Sequence, residues 1–209
     1  MTSRTRALLY AVFALMVGGA AYFLGVGSFL GQQAEASVLD ASAFVADPEG
    51  PLRLVTPTNL IIALIVVGLI ALWAHGLSRA ISILVASSFA IVASQILKER
   101  WLERPELLEL DADNTFPSGH MTVYTVVLGA LIWALPRGAR SIIMLAATVI
   151  LGIVSWQLLE YGWHRPSDLI GAQALALCAF GVASWRGPRK SRRQMGCTGA
   201  LVSAATRLA

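Results

Sequence analysis

The chain has 209 residues, of which 56% are hydrophobic and 13% charged. Soluble domains carry about 25% charged residues, so a water-facing surface is excluded, and the apolar content equally excludes a disordered chain. The net charge of +4 is first a topology signal in such a membrane protein, not a mark of nucleic-acid binding, and two cysteines, Cys178 and Cys197, give neither a disulfide framework nor a metal-ligand spacing.

Six stretches contain no Asp, Glu, Lys or Arg: residues 7–30, 57–77, 80–97, 118–135, 141–159 and 169–185. Each is a continuous apolar run, not an alternating one, and each falls within the about 17–25 residues that a spanning helix needs. Only helices and closed barrels satisfy their backbone polar groups in lipid, and continuous runs select helices. The sequence therefore predicts an all-α fold, a six-transmembrane-helix bundle, as one membrane-embedded domain over residues 1–209.

The connections alternate in charge. The N-terminus, the second and fourth connections and the C-terminal tail hold Arg4, Arg6, Arg79, Arg137, Arg140 and six further basic residues, with no acidic one. The other three connections hold all twelve acidic residues. Positive loops stay inside, so both termini are expected to be cytoplasmic and the first, third and fifth connections to face outward, in a multi-pass protein of the plasma membrane. Residues 186–209 are expected to form a basic, disordered cytoplasmic tail. Ala34-Glu35-Ala36, after the first run, resembles a signal-peptide cleavage site. The apolar run before it exceeds the about 7–15 residues of a signal h-region, so the first span is expected to stay.

The third connection opens with Lys98 and reaches Arg104-Pro105, then an acidic stretch, then Pro117-Ser118-Gly119-His120. Arg grips phosphate bidentately and Lys acts as a point charge, although Glu99, Glu103 and Glu106 could instead pair with both in a solvated loop. Pro-Ser-Gly-His falls where an apolar run begins. Ser118 suits an N-cap, Gly119 lets a ligand approach the backbone, and a helix N-terminus attracts anions. His120 could give a proton to something bound there; the plainer alternative is a cap with an interfacial His.

The fifth connection reads Trp163-His164-Arg165-Pro166-Ser167-Asp168. Pro166 suits a first helical turn. A carboxylate beside an imidazole fixes its tautomer and can orient a nucleophilic nitrogen, though Asp168 could merely complement the helix dipole. His75, at the opposite face, is expected to be interfacial without a chemical role. Together, the outward connections hold an anion cradle, cations, a proton donor and a nucleophile with its orienting carboxylate. That is the inventory of phosphoryl transfer through a covalent intermediate. No carboxylate or Cys/His cluster has metal-ligand spacing, which favours a metal-independent route with no cofactor.

These motifs resemble the type 2 phosphatidic acid phosphatase family of integral-membrane lipid phosphatases, over roughly residues 97–172. Its signatures are Lys-x6-Arg-Pro, Pro-Ser-Gly-His and Ser-Arg-x5-His-x3-Asp. The second is intact at residues 117–120, and the His-x3-Asp half of the third at His164 and Asp168. Lys98 and Arg104 are separated by five residues, one short, and the Ser-Arg positions are Gln157 and Leu158.

The resemblance implies that His164 attacks phosphorus, Asp168 orients it, and His120 protonates the leaving oxygen. It also implies that Lys98, Arg104, Ser118 and Gly119 stabilise the phosphate oxygens. Arg165 is the expected substitute for the missing arginine. The implied substrate is a lipid phosphate such as phosphatidic acid, phosphatidylglycerol phosphate or a polyprenyl diphosphate, met at the extracytoplasmic side of the bilayer. A non-catalytic accessory protein with a degenerate site is the alternative that the Gln157-Leu158 gap keeps open.

Overall fold

A computed structural model of the chain describes residues 2–47, 50–108 and 113–186. The expected tail, apart from Arg186 at the end of the last helix, lies outside the described residues. Among these residues, seven α-helices run in the order α1 (Ser3–Ala20), α2 (Phe29–Asp40), α3 (Pro57–His75), α4 (Leu77–Ile96), α5 (Gly119–Ala134), α6 (Arg137–Glu160) and α7 (Pro166–Arg186). α1 and α4 each continue into a π-helical turn, Ala21–Val26 and Leu97–Trp101.

Local chemistry sets the helix starts. Thr2, Ser28, Thr56 and Ser118 each accept a hydrogen bond from the N–H three residues on, at 3.0–3.3 Å. Such a cap contributes about 1 kcal/mol. Pro57 and Pro166 open α3 and α7, where a missing N–H costs nothing. Between α3 and α4 the chain turns at Gly76, whose φ of +82° lies in the region that favours glycine.

Among the described residues, five helices are long and apolar enough to cross a membrane, at Arg4–Val26, Pro57–His75, Leu77–Trp101, Arg137–Glu160 and Pro166–Trp185. The chain is a multi-pass membrane protein by that measure. The fourth expected span, α5, has 16 residues. At 1.5 Å per residue it is about 24 Å long, short of a hydrocarbon core of about 30 Å. It is also the hub of the bundle, packing against α3, α4, α6 and α7. Its Met121, Val126, Ala130 and Ala134 are fully buried.

α1 and α7 form the most extensive interface. A Cβ added at Gly181 would stand 2.9 Å from the Ala11 Cβ, and one at Gly18 3.1 Å from that of Ala174. Small residues let two backbones approach closely where lipid supplies no hydrophobic drive. The first apolar run, expected to extend to residue 30, leaves its helix at Gly27. The connection expected to follow it contains α2, which spans the Ala34-Glu35-Ala36 segment and buries Gln32 and Glu35.

Candidate active site

The site lies where the third and fifth connections meet α5 and α7. Ser118 caps α5: its Oγ accepts the Met121 N–H at 3.3 Å, and its carbonyl accepts the Thr122 N–H. The N–H groups of Gly119 and His120 have no partner among the described residues, which leaves two donors at a helix N-terminus. The Ser118 N–H donates to the Asp168 carbonyl at 3.1 Å, joining the start of α5 to the first turn of α7.

Asp168 is fully buried. Its Oδ1 lies 3.1 Å from Arg104 Nη2. Its Oδ2 accepts hydrogen bonds from the Thr115 hydroxyl at 2.6 Å and the Arg165 N–H at 2.9 Å. His164 Nδ1 stands 3.4 Å from the same Oδ2, an ion-pair separation that is long for a hydrogen bond. A carboxylate without water needs such partners to remain ionised. With Nδ1 facing Asp168, Nε2 is the ring nitrogen left for chemistry.

His120, in the first turn of α5, and His164, in the loop that precedes α7, are brought near each other. The His120 ring packs on Trp163, next to His164, at 5.6 Å between centroids. His120 is close enough to both His164 and Lys98 to feel their charges. Trp163 is in turn fixed by donating Nε1–H to the Val45 carbonyl at 2.7 Å. Gly162, at φ +71°, makes the turn out of α6 that brings His164 round. His75 is exposed at the far end of the bundle, its Nε2 3.4 Å from the Leu135 carbonyl.

The third connection is pinned along its length. Tyr22 donates to the Glu103 carbonyl at 2.7 Å, and Gln32 Nε2 to the Pro105 carbonyl at 2.7 Å. Asn114 Nδ2 donates to the Lys98 and Leu102 carbonyls at 3.1 and 2.6 Å. The Lys98–Arg104 segment leaves its helix at Leu102, which is extended. An extended residue advances about 3.3 Å against 1.5 Å in a helix, so one residue fewer between the two cations is readily absorbed.

Arg104 does not pair with Glu99, Glu103 or Glu106 but with two buried carboxylates. Nη1 lies 3.4 Å from Glu35 Oε2, and Nη2 3.1 Å from Asp168. Glu35 also accepts the Ser167 N–H at 2.9 Å on Oε1. Glu35, Arg104 and Asp168 thus form one buried chain of charge that ends beside His164. Sequence reasoning had no hint of Glu35 or Thr115 as members, since each meets its partner only through the fold.

Arg165 is buried and near Arg104, Asp168 and Glu35, yet has no carboxylate within ion-pair distance among the described residues. Burial, and then Arg104, pull its guanidinium below the usual arginine range, while Asp168 and Glu35 pull the other way. Of the two residues replacing Ser-Arg, Leu158 is fully buried in an apolar cluster with Met121, Val154 and Leu169. Gln157 donates to the Tyr161 hydroxyl at 3.1 Å. Among the described residues, no group of three or more His, Cys, Asp and Glu side chains could hold a metal ion.

The fold is similar to that of a transmembrane PAP2-type phosphatidylglycerolphosphate phosphatase from Bacillus subtilis. The TM-score is 0.60 at 21% sequence identity, over 88% of this chain and 94% of that one. Neither a family model nor a curated protein sequence matches the chain.

Proposed function

We propose that this protein is a membrane phosphatase of the type 2 phosphatidic acid phosphatase family. It hydrolyses a lipid phosphomonoester or diphosphate, of the phosphatidic acid, phosphatidylglycerol phosphate or polyprenyl diphosphate kind, and needs no metal. The observation that carries this reading is the convergence of His120 and His164 beside a carboxylate and two uncommitted helix N–H groups. The shared fold with a lipid phosphatase supports it.

In the proposed reaction, Nε2 of neutral His164 attacks phosphorus while the bond from phosphorus to the lipid oxygen breaks. His120 gives its proton to that oxygen, and the lipid leaves. His120, now neutral, takes a proton from water. The resulting hydroxide attacks the phosphohistidine, phosphate departs and His164 is regenerated. Asp168 holds the imidazole by Nδ1 and stabilises its positive charge. Lys98, Arg165 and the Gly119 and His120 N–H groups face the charge that spreads over the phosphate oxygens. Arg104 orders the site by bracing Asp168 and offers its remaining N–H groups to the phosphate. Ser118 contributes as the cap that aims the helix start.

Both termini are proposed to be cytoplasmic, with six spans and the site at the extracytoplasmic face. A cavity of about 260 Å³ lies between α1, the third connection and α7, lined by Gly18, Gly19, Tyr22, Phe116, Pro117 and Leu175. It is almost wholly apolar and reaches the residue before Ser118, so it suits a lipid tail whose head is at the histidines. The test is phosphate release from detergent-solubilised protein across a panel of lipid phosphates with EDTA present. Release from one or more lipids is expected. No release from any lipid would favour the second reading, an accessory protein with a degenerate site, for which Leu158 in the apolar core is the supporting observation.

A further inference from the structure

The end of the bundle opposite the histidines carries a second concentration of positive charge. Arg79 opens α4, Arg137 and Arg140 open α6, and Arg6 lies in the first turns of α1. Arg79, Arg137 and Arg140 are near enough to repel one another. None of these four has an Asp or Glu within 4 Å among the described residues. Arg79 stacks over the Trp133 ring at 5.0 Å. Arg140 donates Nε–H to the Leu135 carbonyl at 2.9 Å and Nη2–H to that of Trp133 at 3.2 Å. Its Nη1 amino group is uncommitted. Like charges gathered without a counter-charge ask for an anion.

A cleft of about 790 Å³ begins at Arg6 and Arg140 and runs between α1, α5, α6 and α7. Arg6 and Arg140 line one end. Along its length stand Tyr10, Phe13, Met144 and Leu177, all exposed on the flank of the bundle. The volume is within the about 300–1,000 Å³ of small-molecule sites. Its chemistry is two-part: guanidinium at the membrane surface, hydrocarbon toward the bilayer centre.

We infer that this cleft is a binding site for an anionic phospholipid of the leaflet facing Arg6. The headgroup phosphate bridges Arg6 and Arg140, and an acyl chain lies along Phe13, Met144 and Leu177. Basic pockets between membrane helices hold such headgroups. The lipid is separate from any substrate. Arg6 and Gly25 are nineteen residues apart along α1 and the π-helical turn that continues it, on the order of 25 Å. A Cβ added to Gly25 would already meet Ser167 of the histidine site. A headgroup held by Arg6 therefore cannot reach His164.

The test is binding of phosphatidylglycerol against phosphatidylcholine to full-length protein in nanodiscs or by native mass spectrometry. Both are phosphodiesters, and the readout is independent of any phosphatase activity. Phosphatidylglycerol should bind in preference and raise the Tm as its fraction rises. Arg6→Gln should weaken its binding about fivefold, the size expected for one basic residue near an anionic surface. Arg140→Gln should do likewise; because Arg140 also caps two carbonyls, the exposed Arg6 provides the variant that leaves folding intact. Equal binding of the two lipids, or phosphatidylglycerol binding unchanged in Arg6→Gln, would overturn the inference. So would preservation of that preference in the doubly substituted protein.

Discussion

The backbone N–H of Ser118 donates to the carbonyl of Asp168 at 3.1 Å. This bond joins two segments fifty residues apart and sets the N-terminus of α5 against the first turn of α7. Each segment alone has an ordinary explanation, as a cap or as a helix start. Joined, they bring a histidine from each to one place, and the buried Asp168 serves both ends: its backbone carbonyl positions α5 and its side chain positions His164.

His164→Ala should abolish phosphate release and leave the protein inserted and folded. Asp168→Asn should retain only a small remainder of activity, because it keeps the shape but loses the charge that stabilises the imidazole. Because Asp168 also anchors Arg104 and the Arg165 N–H, this variant should lower the Tm as well. Phosphate release assayed beside a thermal melt separates the two effects.

Glu35→Gln isolates charge from packing. Glutamine can still accept the Ser167 N–H on its amide oxygen, but its NH2 then faces Arg104 Nη1, so both the hydrogen bond and the ion pair to Arg104 are lost. Arg104 would then be held by Asp168 alone and draw it away from His164. Hydrogen bonds to charged groups contribute about 1.5–3 kcal/mol, so kcat/KM should fall roughly ten- to hundredfold while the fold survives. Wild-type kinetics in Glu35→Gln would reduce Glu35 to an anchor of α2.

Arg165→Gln should raise KM for a lipid phosphate about tenfold, and Arg165→Lys should recover part of the loss, since Arg165 is a buried guanidinium with no carboxylate within ion-pair distance among the described residues. Leu158→Arg, which places an arginine where the type 2 phosphatidic acid phosphatase signature has one, should lower the Tm: the position is sealed among Met121, Val154 and Leu169, and a buried unpaired charge is costly. Steady-state kinetics and melts of the three variants test this.

The pH profile of kcat/KM should be bell-shaped. The alkaline limb reflects loss of the proton that His120 must deliver. His120→Asn should remove the alkaline limb and leave the acid one. A profile that keeps both limbs in that variant would assign the proton donor elsewhere.

The helices were legible because charge is excluded from lipid: gaps between charged residues marked every apolar helix to within a few positions. Capping was legible too, since Ser118 and its Met121 partner are only three residues apart. The α2 helix was not, because residues 29–40 mix Gln, Glu, Ser and Ala without an apolar run. It is held through Gln32 and Glu35, whose partners at Pro105, Arg104 and Ser167 are distant in sequence. The same reason hid Glu35 and Thr115 from the site. The reading of Arg104 as a phosphate ligand omitted the two carboxylates that meet it in three dimensions. The expected run of residues 118–135 exceeds α5 by its two caps, Ser118 and Leu135, which carry no charge to mark the helix ends.

The most direct test of two histidines meeting at one phosphate is to trap the intermediate. Protein mixed with a radiolabelled lipid phosphate and quenched within milliseconds should carry an acid-labile, base-stable label on His164. The label should be absent in His164→Ala. A label elsewhere, or undiminished labelling without His164, would contradict the account.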